Sequence, residues 1–369
     1  MERAAKEVFK MEVNDVVKLF TGETPVNTEI KNTSHGDGDF RETFIVDLGQ
    51  KKIVIKLSSN GFTDEKHIAL WERIANEYRG LGYYCPGFIR ALDGTFPVVM
   101  YKDRECIAWA EEFSEYRSAE ELIGDRFAET HLVKDGWYTF LEDAMIMDAK
   151  VAARHYDYTD MPSGFCMFEL FDPNDRTDET TEDAEKWLAL AKALPSGFSE
   201  TVDRIWGRWL KARSDLEKIY RQLPTSVFQA DINHTNVLLD EDGNFKGVYD
   251  FNIGGREVYI NYIIRQAPYV STWDGTEDVE EDGVFLKRVL HALEIARKVY
   301  SFSELEKEAA PLLYKCIRPL WWYASVELEE AGTDEEKIRR HLEKIEFEQT
   351  REIDFAKHMQ SAKKVTSVI

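Results

Sequence analysis

The sequence predicts an α+β protein of two lobes, a small β-rich lobe at the N-terminus and a larger helical lobe after it. Paired β-rich runs fall between residues 44 and 112 with one amphipathic helix among them, and long helical periods take over from residue 118. One hairpin, at 237–251, interrupts the helical part. A length of 369 residues exceeds what one simple core organises. The expected division is 1–113 and 114–369.

Ala4, Val8, Phe9, Val13, Val16, Val17 and Phe20 recur at near-helical spacing, which predicts a leading helix over residues 1–20. Phe44–Leu48 and Lys52–Leu57 are β-rich and separated by Gly49-Gln50-Lys51, a hairpin pattern. Ile68, Trp71, Ile74, Ala75 and Tyr78 form one stripe of a helix over 65–79, closed by Pro86. Strands are expected over 96–101 and 106–112, joined by the polar turn Lys102-Asp103-Arg104-Glu105. Helices follow over 118–132, 136–155, 181–194 and 199–222, with several more from 283 onward. Val237–Leu239 and Lys246–Phe251 form the internal hairpin around Asp240-Glu241-Asp242-Gly243-Asn244. The polar stretch 156–181 and the acidic run Asp274–Asp282 read as solvated loops.

The charge balance is acidic: 47 Lys and Arg against 69 Asp and Glu leave a net −22. That opposes association with nucleic acid or an anionic membrane and favours cationic partners, although acidity also serves simply to keep a protein dispersed. Cys85, Cys106, Cys166 and Cys316 lie far apart without a CxxC pair, so neither a zinc knuckle nor a disulfide framework is expected. A reducing cytoplasm is the simplest setting. No apolar run reaches the length of a signal peptide core or a membrane span.

The chemistry concentrates between Val227 and Phe251. Asp231 and Asn236 stand five residues apart in a loop just before an apolar strand, and Asp250 ends the returning strand. Phosphoryl transfer from a nucleotide needs a carboxylate near the acceptor hydroxyl and oxygen ligands for magnesium on the phosphates. Asp231 suits the first role, and Asn236 with Asp250 suits the second. Lys56, set among apolar residues in KIVIKL, is unexpected in a strand unless its ammonium reaches a phosphate or a carboxylate.

This constellation resembles the aminoglycoside phosphotransferase and choline kinase superfamily. Its members read H-G-D-x-x-x-x-N, then a strand, a turn and I-D-[WFY]; here the matching residues are Gln229-Ala230-Asp231, Asn236 and Tyr249-Asp250-Phe251. The resemblance implies a bilobal protein kinase-like fold and a transfer of the γ-phosphate of ATP or GTP to a hydroxyl of a small molecule. It implies Asp231 as catalytic base or hydroxyl-orienting group and Asn236 and Asp250 as Mg2+ ligands. Lys56 then contacts the nucleotide phosphates and Glu72, on the following helix, holds it, with Glu65 and Glu77 as rivals. Glu111-Glu112-Phe113 read as the hinge whose backbone meets adenine, so Glu111 and Phe113 belong to the nucleotide site. Gly36 and Gly38 suit a phosphate-covering loop. His155 is expected to be structural, and His234 to orient the loop or act directly. Trp321, Trp322 and Tyr323, with Glu327, Glu329 and Glu330 nearby, are candidates for receiving a cationic acceptor by cation–π and charge contacts.

Three departures stand out: Gln229 and Ala230 replace the usual His and Gly, and Asn261 stands where a later Asp is usual. Alanine is a small change there unless the position needs a positive φ. These departures also motivate the alternative of a catalytically silent kinase-like nucleotide-binding or regulatory protein. Protein-kinase activity is disfavoured, because no activation segment ending in A-P-E follows Asp250.

Overall fold

The computed structural model describes residues 11–34, 36, 38–123, 133–134, 137–156, 158–161, 167–168, 178–270 and 283–360. The first half of the predicted leading helix, the end of the helix expected over 118–132, much of 156–181, Cys166 and the run Asp274–Asp282 lie outside the described residues. The chain divides into two compact units, Met1–Arg117 with Lys246–Asn252, and Ser118–Phe245 with Ile253–Ile369.

The first unit comprises α1 (Val13–Phe20), β1 (Asn27–Asn32), β2 (Phe40–Asp47), β3 (Lys52–Ser59), α2 (Glu65–Gly80), β4 (Phe88–Ile89), β5 (Val98–Tyr101) and β6 (Arg104–Glu112). The sheet order is β1-β2-β3-β6-β4, with β5 paired to β6, and each pairing is antiparallel. Alternation along the strands sends Phe44, Val46, Ile53, Ile55 and Leu57 to one face, where α1 covers them with Val16, Val17 and Phe20. The opposite face carries Lys56 of β3 beside Trp109 of β6, with Trp71 of α2 packed against the latter. Asp64 caps α2 by accepting the His67 N–H at 2.8 Å. The strand expected from Phe96 starts at Val98, after Pro97, which has no N–H to give a ladder. Strand β1 was not foreseen: NTEIKN is largely exposed and lacks an apolar alternation.

Strand β7 (Arg117–Ser118) leads to the second unit, with α3 (Ala119–Ile123), β8 (Val133–Lys134), β9 (Trp137–Tyr138) and α4 (Thr139–Ala152). Strands β8 and β9 pair, so the helix expected from residue 136 begins only at Thr139. Helices α5 (Glu179–Ala191) and α6 (Ser199–Tyr220) come next, then β10 (Thr225–Phe228), β11 (Val237–Leu239), β12 (Phe245–Val248) and β13 (Gly255–Val258). The last described elements are α7 (Tyr259–Val270), α8 (Val284–Ala296), α9 (Glu304–Ile317), α10 (Trp322–Ala331), α11 (Glu335–Thr350) and α12 (Phe355–Met359). Trp187, Ile205, Trp209, Leu328, Ile338 and Leu342 bind α5, α6, α10 and α11 into one core. Ser303 and Glu306 form a capping box at the start of α9. Strands β10 and β13 pair antiparallel, Val227 opposite Arg256, and together they set the loop that follows β10. No described helix is long and apolar enough to cross a membrane.

Candidate functional site

In the first unit Lys56 occupies the middle of β3 on the face opposite α1, with Trp109 of β6 as its register partner. Its Nζ lies 3.0 Å from Glu111 Oε1 and 3.1 Å from Asp250 Oδ1. Burial alone would lower the lysine pKa, but the charges of Asp250 and Glu111, with their hydrogen bonds, overcome it and hold the pKa well above the ordinary value. The ammonium is therefore a permanent cation at neutral pH. It faces a cavity of about 210 Å³ within this unit, lined also by Thr33, Arg41, Thr43, Ser58 and Asp250.

Asp250 is brought there by the segment Lys246–Asn252. The Tyr84 N–H donates to Lys246 O at 2.9 Å and the Val248 N–H to Tyr84 O at 3.1 Å, leaving Gly247 against the Tyr84 backbone. A Cβ on Gly247 would stand 1.8 Å from Tyr84 O. The Phe251 ring packs edge-on to Tyr78 of α2 with centroids 5.7 Å apart. Between these anchors Asp250 adopts φ +60°, in the left-handed region that aspartate enters more readily than most residues with a Cβ.

The expected partnership of Lys56 with Glu72 is not formed. Glu72 instead accepts from Arg90 at 2.6 Å. Helix phase is the reason: Trp71 is the α2 residue turned toward the sheet, 6.0 Å from Trp109 between ring centroids, and adjacent helical residues point about 100° apart. Glu111 meets Lys56 through its side chain rather than serving through its backbone. The Glu112 N–H is donated to Gly87 O at 2.8 Å and the Phe113 N–H to Lys52 O at 3.4 Å, so both donors of the expected hinge are engaged within the sheet. The Phe113 ring is 42% exposed with the Lys52 ammonium 5.4 Å from its centroid. Gly36 and Gly38 both have positive φ, as a tight loop requires, whereas His35 and Asp37 between and beside them are outside the described residues.

In the second unit the loop after β10 is fixed from several sides. Phe228 stacks on Tyr262 of α7 with centroids 4.1 Å apart, and Gln229 is fully buried. The Gln229 side-chain carbonyl accepts the Asp231 N–H at 2.7 Å, bridging Ala230, whose φ is +71°. The position therefore does require the left-handed conformation that glycine supplies freely. Asp231 Oδ1 accepts from Asn233 Nδ2 at 2.9 Å, and Oδ2 accepts from Asn236 Nδ2 at 2.8 Å. The Asn236 amide also donates to the Asp231 carbonyl at 3.0 Å, closing the five-residue spacing seen in the sequence. Gln266 of α7 donates to Ile232 O at 2.9 Å. Two amide donors on one carboxylate leave it oriented as an acceptor toward the cavity beside it.

That cavity, about 290 Å³, is lined by Asp231, Asn233, Glu179, Arg265, Phe285 and Trp321, among others. Trp321 thus stands where the sequence suggested an aromatic wall, but Trp322 is turned outward, 43% exposed. Of the acids expected beside it, Glu327 and Glu329 are committed elsewhere. Glu327 accepts from His341 at 3.1 Å and Lys344 at 2.8 Å; burial pushes its pKa up, but these bonds and the Lys344 charge bring it down to about 2. Glu329 lies 3.9 Å from Lys186. Besides Asp231, the acid at the cavity is Glu179 on α5, 3.4 Å from Arg265 and one turn before Asp183, whose pKa is raised to about 6 by burial and by the Glu179 charge, against the opposing effect of Arg265. Neither was singled out in the sequence, although two like charges at i, i+4 work against an isolated helix and are a signal.

The remaining residues fall into supporting places. Asn261 is fully buried on α7, donating to Tyr220 Oη at 2.9 Å and accepting from Arg265 at 3.2 Å, so it steadies a cavity residue rather than the loop itself. His234 accepts the Glu120 N–H on its carbonyl at 3.0 Å, and its ring lies 3.5 Å from the Glu120 carboxylate. His155 is exposed just beyond α4 with its ring 6.0 Å from that of Tyr300. Among the described residues no group of three or more His, Cys, Asp or Glu is arranged to hold a metal. The amide oxygen of Asn236 and the carboxylate of Asp250 are hard oxygen donors, the chemistry Mg2+ takes when phosphates and water complete its shell.

A β-rich unit carrying a lysine–carboxylate cluster, followed by a helical unit with an Asp–Asn loop, constitutes a protein kinase-like α+β fold. Among solved structures, the microcompartment-associated aminopropanol kinase has it, with a TM-score of 0.52 and 13% identity over 91% of this chain and 94% of that one. The amicoumacin kinase hAmiN in complex with AMP-PNP, Ca2+ and Ami superposes with a TM-score of 0.49 at 15% identity, covering 93% and 95% of the two chains. No protein-family model matches the chain, and no curated protein matches it in sequence. At these identities the likeness is one of fold.

Proposed function

We propose that the chain is a divergent member of the aminoglycoside phosphotransferase and choline kinase superfamily, a Mg2+-dependent phosphotransferase. It would move the γ-phosphate of ATP or GTP to a hydroxyl of a small molecule in the cytoplasm. The observation that carries this reading is the Asp231 carboxylate, held by Asn233 and Asn236 and lining a cavity in the helical unit. In this reading Asp231 orients the acceptor hydroxyl and receives its proton as the new O–P bond forms and the bond to the nucleoside diphosphate breaks. Lys56 binds the donor's phosphates, and Asn236 and Asp250 hold the metal, which supplies charge neutralisation on them. Glu179 and Trp321 make an amine-bearing acceptor the best match, by charge and cation–π attraction. The aminopropanol kinase that shares the fold is, by its name, an enzyme of this class.

The test is a thermal-shift titration with Mg2+ and either ATP or GTP, followed by transfer assays across amino alcohols, aminoglycosides and neutral sugars. Asp231→Asn is expected to cut transfer by roughly 10²–10⁴-fold while keeping nucleotide affinity within about 2-fold. Full transfer by Asp231→Asn would remove the assigned role. Nucleotide binding without transfer to any acceptor would favour a silent binding protein.

A further inference from the structure

Lys56 has two carboxylate neighbours inside its own unit, and they reach it by different routes. Asp250 follows the end of β12, whereas Glu111 lies on β6, the strand hydrogen-bonded to the one that carries Lys56. Register makes the second pair: Lys56 stands opposite Trp109, so Glu111, two residues further along, is its diagonal neighbour on the same face. The Trp109 indole donates to Glu111 Oε1 at 3.0 Å, the same oxygen that receives Lys56. Glu111 is only 6% exposed, and a carboxylate so buried is costly unless a cation and a donor both serve it. On α2, Glu72 is spent on Arg90, whose guanidinium lies 4.2 Å from the Phe96 ring centroid.

The geometry points to Glu111, rather than any residue of α2, as the positioning residue that aims Lys56. Its role toward a nucleotide rests on the phosphotransferase reading; the pairing itself does not. A glutamate on a helix can be drawn away from its lysine when the helix shifts. One on the neighbouring strand has its backbone fixed by the β3–β6 ladder and leaves only by changing its own rotamer. The aim of Lys56 is therefore set by sheet register, and α2 bears on it through Trp71, which packs on the Trp109 ring that serves Glu111, rather than through a carboxylate of its own.

Urea unfolding without nucleotide tests the pair through double-mutant cycles of Lys56→Met with Glu111→Gln and with Glu72→Gln. Lys56 and Glu111 are expected to couple by roughly 10-fold in the folding equilibrium constant, and Lys56 and Glu72 to be additive within about 2-fold. With Mg2+ and nucleotide, Glu111→Gln is expected to raise the nucleotide KM by roughly 10-fold with a smaller change in kcat, while Glu72→Gln leaves both within about 2-fold. Trp109→Phe keeps Glu111 but removes its indole donor, and gives the same KM-weighted loss should Glu111→Gln not fold. Stronger coupling of Lys56 to Glu72, or equal losses from Glu72→Gln and Glu111→Gln, overturns the assignment. Coupling to Glu111 in a chain that binds neither ATP nor GTP sustains the pair and instead removes the phosphotransferase reading.

Discussion

The side-chain carbonyl of Gln229 accepts the backbone N–H of Asp231 at 2.7 Å, so the residue two before the proposed catalytic aspartate fixes where that aspartate begins. Gln229 is fully buried, so truncating it leaves the Asp231 N–H facing a buried void rather than bulk water. Gln229→Ala is expected to cost about 1–3 kcal/mol by urea unfolding, the penalty of a buried donor left without its acceptor. Transfer should fall further than stability, because Asp231 loses its orientation. Gln229→His, which keeps a ring acceptor, should lie closer to wild type in both measurements.

Ala230 is bridged by that same hydrogen bond and sits at φ +71°. A Cβ in this region costs about 1–2 kcal/mol, while glycine gives back about 0.4–1 kcal/mol through a freer unfolded chain. Strain relief is the larger effect. Ala230→Gly should therefore stabilise the protein by roughly 0.5–1 kcal/mol, read as a higher urea midpoint at unchanged slope. Ala230→Val, with a branched Cβ, should move the midpoint the other way.

Which parts of this site the sequence disclosed follows from how local each pattern is. Asp231, Asn236 and Asp250 sit within twenty residues of one another in a loop, strand and turn, and a charge amid the apolar run of β3 marks Lys56. The partner of Lys56 is different in kind. Glu111 is 55 positions away, and its approach depends on which residue of β6 faces Lys56, a register that no single strand encodes. Glu72 was the natural expectation because it lies on the next helix, and a rotation of one residue gave that place to Trp71. Strands β10 and β13 leave no mark in the sequence, because four-residue runs such as TSVF and GREV show no period. The helix acid at the cavity is Glu179 of α5, while Glu327 of α10 is held by His341 and Lys344 from α11.

Gly247 carries no side chain because Tyr84 occupies that space with its backbone. The clash distance of 1.8 Å is to a carbonyl oxygen, which cannot swing aside as a side chain can. Gly247→Ala is expected to destabilise the protein by about 3 kcal/mol or more, at the upper end for overpacking, since a backbone pairing must break to admit the methyl group. Hydrogen exchange should show the Tyr84 and Val248 amides losing protection first. An unchanged unfolding midpoint would contradict this close approach.

Asp183 gives the clearest pH signature. Burial and the neighbouring Glu179 raise its pKa from 3.8 to about 6, and the Trp322 N–H bonded to it and Arg265 only partly offset them. A carboxyl whose folded pKa is raised binds its proton more tightly in the folded state. Its contribution is therefore neutral below about pH 4 and becomes destabilising as pH rises from 3.8 through 6. Asp183→Asn keeps an oxygen to accept the Trp322 N–H and removes only the charge. The variant should match wild type in thermal midpoint near pH 4 and exceed it above pH 6.5, with the gap opening between those values. If the cavity takes a cation, an amine acceptor should narrow that gap in the wild-type chain, because it supplies the counter-charge that Asp183 and Glu179 share.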